Sequence, residues 1–144
     1  MTEVSKVKLA EVLAAYAHQG QKDKGGKDYI YHPLEVASHL EGEEEKTVAL
    51  LHDVLEDTFV TEDTLRNLFG DRICNAVVCL TRKEKESYED YILRIRENTL
   101  AAKVKIQDLK HNMDLKRLSE ITERDLKRVE KYRKAADSLK EGDK

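Results

Sequence analysis

A chain of 144 residues, 40% of them apolar, can fill one modest core and leaves little room for a second domain. Charged residues make up 38%, yet their signs nearly cancel, and a net charge of −3 provides neither a basic footprint for duplex nucleic acid nor a polybasic patch for a membrane. No apolar run reaches the roughly 18 residues that a membrane span requires. Met1-Thr2-Glu3-Val4-Ser5-Lys6 also lacks the apolar core of a signal peptide, so a cytoplasmic protein is expected.

With one Pro, six Gly and no alternating β-branched stretch, helical spacing dominates, and an all-α chain of about seven to eight helices is expected. A first amphipathic helix is predicted from about Val4 to His18, with Val7, Leu9, Ala10, Leu13 and Ala17 near one face. Gly20 to Asp28, rich in Gly and Lys, reads as a loop. Pro33 suits the first position of a second helix, which puts His32 at its N-cap, and Glu41-Gly42 ends that helix. A third helix spans about Glu44 to Asp57. Thr61, followed by Asp63 and Thr64, caps a short fourth helix that Gly70 closes. Later helices are expected at about Asp71–Leu80, Tyr88–Glu97, Leu100–Asp114 and Ile121–Leu139, the last docking through Leu126, Val129, Tyr132, Ala136 and Leu139. Cys74 and Cys79, five apart in an apolar stretch, match neither a zinc pair nor CxxC and read as buried free thiols of a reducing compartment. A single domain over residues 1–140 with a frayed tail at 141–144 is expected.

The third helix carries the first chemical signal. Val48, Leu50, Leu51, Val54 and Leu55 cover most of its circumference, while His52, Asp53, Glu56 and Asp57 occupy what remains. Ionisable groups on a buried helix are costly unless compensated, and a divalent cation is the simplest compensation for clustered carboxylates. The bland alternative is an exposed helix end with Glu56 and Asp57 solvated. Two more segments bear similar groups: Tyr29-Ile30-Tyr31-His32-Pro33, and Val104 to Met113, where Asp108 and Asn112 lie four apart on a mostly apolar helix.

Taken in order, His32-Pro33, then His52-Asp53 with Glu56-Asp57, then Asp108 followed by His111-Asn112, the chain resembles the hydrolase module of RelA/SpoT-type proteins and their small stand-alone relatives in the HD superfamily. The resemblance covers about Tyr16 to Leu118 and implies a compact all-helical HD-domain bundle. It further implies one divalent ion, Mn²⁺ with Fe²⁺ or Zn²⁺ as other candidates, on His32, His52, Asp53 and Asp108. Such an ion supplies a water that ionises near neutral pH. Glu56 and Asp57 match the family's acidic pair, which orients or deprotonates that water, and Asn112 matches a residue that contacts the nucleoside. No His lies between His52 and His111, which favours a mononuclear site over the two-metal branches of the superfamily.

Two stretches depart from the pattern of alarmone hydrolases. Gln21-Lys22-Asp23-Lys24-Gly25-Gly26-Lys27 has lysines where the family has an Arg-containing pair, and Arg82 to Ile92 replaces a longer basic connection. Lys22 and Lys24 are the favoured substrate contacts, with Arg82, Lys83 and Arg94 as further candidates against a background of solvated charge. His18 and His39 read as surface or helix-end histidines, Tyr132 as core in preference to closing the pocket from the last helix, and His111 as either a support for Asp108 or an ordinary histidine. The expected function is removal of the 3′-pyrophosphate from (p)ppGpp, a small nucleotide. The alternatives are phosphohydrolysis of another nucleotide or nucleoside monophosphate, and a nucleotide-binding module without catalysis.

Overall fold

Ser5 starts the first helix: its hydroxyl accepts the Lys8 amide, and α1 runs Lys6–Ala17. The computed structural model describes residues 5–23, 25–114, 118 and 120–142. Further helices among them are α2 (Tyr31–Ser38), α3 (Glu43–Leu51), α4 (Val54–Asp57), α5 (Glu62–Phe69), α6 (Asp71–Leu80), α7 (Tyr88–Arg96), α8 (Thr99–Asn112) and α9 (Glu123–Gly142). The only extended pairing among the described residues is an isolated bridge between Lys22 and Asp28, which closes the loop before α2. The all-α expectation holds.

Five consecutive residues of α3, Thr47 to Leu51, are buried, because α1, α2, α6 and α8 surround it. Helix α8 is the second central element, packed on α2, α3, α6, α7 and α9. Around this pair Val36, Val48, Leu51, Val54, Leu65, Phe69, Ile73, Val77, Ile95, Val104, Leu109 and Leu139 form one core. Gly70, at φ +89°, joins α5 to α6 in a backbone conformation that a side chain would strain. Thr61, Ser87 and Asn98 cap α5, α7 and α8 through their side chains.

Three local predictions need correction. The third predicted helix is two: α3 stops at Leu51, a turn at His52-Asp53 follows, and α4 is a separate short segment. His52, Asp53, Glu56 and Asp57 therefore do not share one face of a continuous helix. Helix α2 begins at Tyr31, so His32 lies inside its first turn and is not the N-cap; Pro33 is still tolerated there, since first-turn amides have no intrahelical partner. The docking stripe of α9 uses Asp125, Val129, Tyr132, Ala135, Ala136 and Leu139, whereas Leu126 is 55% exposed. Helix α9 also continues past Leu139 to Gly142. Cys74 is buried and Cys79 half-buried, both as free thiols.

Candidate metal centre and active site

The site forms where α2, the α3–α4 turn and α8 meet. The helix stops after Leu51, and the His52 ring folds back on its end: Nδ1 lies 2.5 Å from the Ala49 carbonyl oxygen, which also accepts the His52 amide at 3.5 Å. That contact makes Nδ1 the donor and leaves Nε2 with its lone pair directed inward, the tautomer in which a histidine binds a metal. Nε2 is buried and forms no hydrogen bond of good geometry among the described residues, yet Asp53 Oδ2 is 3.1 Å away and Asp108 Oδ1 3.3 Å away. The first turn of α2 brings His32, whose Nε2 lies 2.7 Å from the same Asp108 Oδ1. Ligand atoms of His32, His52 and Asp53 all fall within 4.8 Å of one another.

Buried imidazoles and carboxylates that converge on one point attract positive charge. Burial alone would lower the pKa of His52, but Asp53 and Asp108 push it well above its ordinary value. Burial alone would raise Asp53 and Asp108. For Asp53 the His52 imidazole and the Tyr29 hydroxyl hydrogen bond bring it down, and for Asp108 the Lys105 ammonium and His52 do so. The two carboxylates thus draw positive charge to this nitrogen, and a divalent ion bound by the same nitrogen and oxygens would supply it, with any proton there released. The donor set fits a borderline or hard divalent cation.

Neighbouring groups hold these side chains in place. Tyr29 donates its hydroxyl to Asp53. Asn112 Nδ2 donates to Asp108 Oδ1 at 3.1 Å, and Lys105 Nζ donates to Asp108 Oδ2 at 2.8 Å. Lys105 is half-buried; burial would depress its pKa, but Asp108 raises it. His111 stacks on His32 with their Nδ1 atoms 2.6 Å apart, so it supports the site directly. His18 is buried rather than at the surface. Its Nδ1 is 2.8 Å from Gln21 Oε1, and Gln21 Nε2 donates to the Asp57 carbonyl at 2.9 Å. His39 is exposed beside Glu35, as expected.

Glu56 and Asp57 cluster with Asp53, one carboxylate oxygen of each within 4.8 Å. Burial raises the pKa of both, with the charge of Asp53 adding to the effect. Glu56 also accepts the Arg82 amide at 2.6 Å, which ties the acidic pair to the α6–α7 loop.

A cavity of about 280 Å³ opens beside the cluster, lined by Lys22, Asp23, Tyr29, His32, Asn112, Asp114, Arg128 and Tyr132 among others. Lys22 lines it, but its ammonium pairs with Asp28. Lys24 lies outside the described residues. Arg82, Lys83 and Arg94 do not line it; Arg94 instead grips Glu86 and the carbonyls of Cys79 and Thr81. Tyr132 satisfies both of its readings, packing against the core and forming cavity wall. Sequence reasoning missed Lys105, Tyr29 and Arg128. Lys105 stands three residues before Asp108 and Tyr29 three before His32, helical spacings that could have drawn notice. Arg128 gave no such signal, because it lies outside the apolar stripe predicted for the last helix.

An HD-domain family model matches residues 10–137. The chain belongs to the HD-domain family. Among curated relatives, this HD-domain protein is 35% identical over 125 residues to a GTP pyrophosphokinase of Myxococcus xanthus. It is 34% identical over 118 residues to a guanosine-3′,5′-bis(diphosphate) 3′-pyrophosphohydrolase of Haemophilus influenzae, and 34% over 119 residues to one of Aquifex aeolicus. These alignments take in 71–74% of the HD-domain chain but only 16–17% of the relatives' length. A solved structure of a metazoan SpoT ortholog, described as hydrolysing ppGpp, superposes with a TM-score of 0.75 over 99% of this chain and 87% of the other at 23% identity, a likeness of fold.

Proposed function

We propose that this HD-domain protein is a metal-dependent phosphohydrolase and that its reaction is removal of the 3′-pyrophosphate from (p)ppGpp. The observation that carries the reading is the inward lone pair of His52, fixed by the Ala49 carbonyl and surrounded by His32, Asp53 and Asp108. These four residues are the proposed ligands of one divalent ion, Mn²⁺ in preference to Fe²⁺ or Zn²⁺. Such an ion would lower the pKa of a water and polarise a phosphoryl oxygen. Glu56 and Asp57 orient the water and take its proton. The oxygen bonds to the phosphorus on the 3′-oxygen as the P–O3′ bond breaks; pyrophosphate leaves and the 3′-oxygen is protonated. Asn112, Lys22 and Lys24 contact the nucleotide, and Arg128 and Tyr132 wall its cavity. The similarity to the pyrophosphohydrolases of H. influenzae and A. aeolicus supports the substrate. The free thiols suit a cytoplasmic setting.

One observation favours a second substrate. Among the described residues the cavity is lined by two acids, Asp23 and Asp114, against two cations, Lys22 and Arg128, a balance suited to a nucleotide with fewer phosphates. The deciding experiment is Mn²⁺-dependent pyrophosphate release from ppGpp, beside an Asp53→Asn variant and a panel of ordinary nucleotides. Release that the substitution abolishes is the expected result. Asp53-dependent orthophosphate release from another nucleotide, with ppGpp intact, would move the protein to the second substrate. Metal binding without turnover on any nucleotide would make it a binding module.

A further inference from the structure

The hydroxyl of Tyr88 is buried and has no hydrogen-bond partner among the described residues. Tyr88 is the first residue of α7, held firmly because the Ser87 cap accepts the Asp90 amide at 3.0 Å. Its ring lies 6.0 Å from that of Tyr91 and 6.4 Å from that of Tyr132, with the Arg82 guanidinium 5.7 Å and the Lys131 ammonium 4.0 Å from its centroid. Lys131 lines a separate groove with Tyr88 itself, but the other three neighbours lead toward the reaction site. Tyr132 forms cavity wall beside His32 and Asn112, and the Arg82 amide holds Glu56. Lys105, which grips Asp108 Oδ2, rests 5.3 Å above the Tyr91 ring. Burial pushes the Tyr88 phenol up to about 12, with the charges of Lys105 and Arg82 opposing the rise.

A buried hydroxyl without a partner destabilises a fold, and phenylalanine would fill the same space without that cost. Tyrosine is useful there when the hydroxyl acquires its partner from outside the chain. We infer that Tyr88 is a substrate-positioning residue whose hydroxyl donates to a phosphate oxygen, with the ammonium of Lys105 supplying positive charge nearby. The ligand class is a phosphate or diphosphate group, the part of the substrate next to the bond being broken. This assignment rests on the phosphohydrolase reading.

The test compares wild type with Tyr88→Phe. Inorganic pyrophosphate binding to the Mn²⁺-loaded protein is measured by calorimetry, and Tm is measured for the metal-free protein. The expected result is pyrophosphate binding weakened roughly tenfold, as for loss of a hydrogen bond to a charged oxygen, together with an unchanged or higher Tm. Equal pyrophosphate binding in the two proteins, or none in wild type, overturns the inference. So does a lower Tm in Tyr88→Phe, which would mean that the hydroxyl serves the fold. If wild type binds pyrophosphate through Tyr88 yet cleaves no nucleotide, the proposed function fails while the positioning role stands.

Discussion

Asp108 does more than any other single side chain in the site. One oxygen faces both imidazoles, and the other is held 2.8 Å from Lys105, inside the bundle where water cannot screen either charge. Removing one member of a buried pair leaves the other charge uncompensated, at a cost of about 3–5 kcal/mol. Lys105→Met is therefore expected to lose about that much stability in the metal-free protein. Asp108→Asn is destabilising for the same reason, because it strands the ammonium. Joining the two substitutions returns part of the loss, since neither charge then remains. Urea denaturation of the four proteins in the presence of a chelator measures the coupling, and strict additivity would show that the two groups do not act as a pair.

At the scale of elements, the α6–α7 loop is as important as the helices, because its Arg82 amide fixes Glu56. Arg94 holds this loop, donating to both carboxylate oxygens of Glu86 and to the carbonyls of Cys79 and Thr81. The Arg94 hydrogen bonds lower the Glu86 carboxyl from its ordinary value of 4.5 to about 2. A carboxyl lowered by folding stabilises the native state above its unfolded pKa, and the benefit disappears as pH falls through the folded value. Glu86→Gln should thus be less stable than wild type at pH 7, and the gap should close between about pH 4.5 and pH 2. Denaturation curves of both proteins across that range would show it, and a gap independent of pH would refute the ion-pair account.

The elements also show what could be read from the sequence. Helix existence was legible because apolar residues recur at helical intervals and Thr61, Gly70 and Pro33 punctuate the chain. The polar residues that the fold gathers at one point were legible as residue types near apolar runs. The break after Leu51 was not, because neither His52 nor Asp53 is a helix breaker; packing on α2 and α8 decides it. His18 was read as exposed because its partners, Gln21 and the Tyr29 ring, come from a loop whose path the sequence does not fix.

For the whole molecule, α3 and α8 form the buried frame and α9 closes one side of it, packing on α7 and α8. The register of α9 thus sets both stability and the cavity wall, because Arg128 and Tyr132 line the cavity while Ala135, Ala136 and Leu139 anchor the helix below. Reading Leu126 into the stripe would rotate α9 and turn Asp125 outward. In the structure Asp125 is buried, accepts from Thr122 and pairs with Arg128 at 3.0 Å, which directs the guanidinium along the cavity side. Both registers bury Leu139, and they part at Leu126. Leu139 is 1% exposed, so Leu139→Ala should cost about 2–5 kcal/mol through lost burial and the cavity left behind. Leu126 is 55% exposed, so Leu126→Gln should stay within about 0.5 kcal/mol of wild type. Equilibrium denaturation of the two variants checks this, and comparable losses at both positions would mean that Leu126 docks as well.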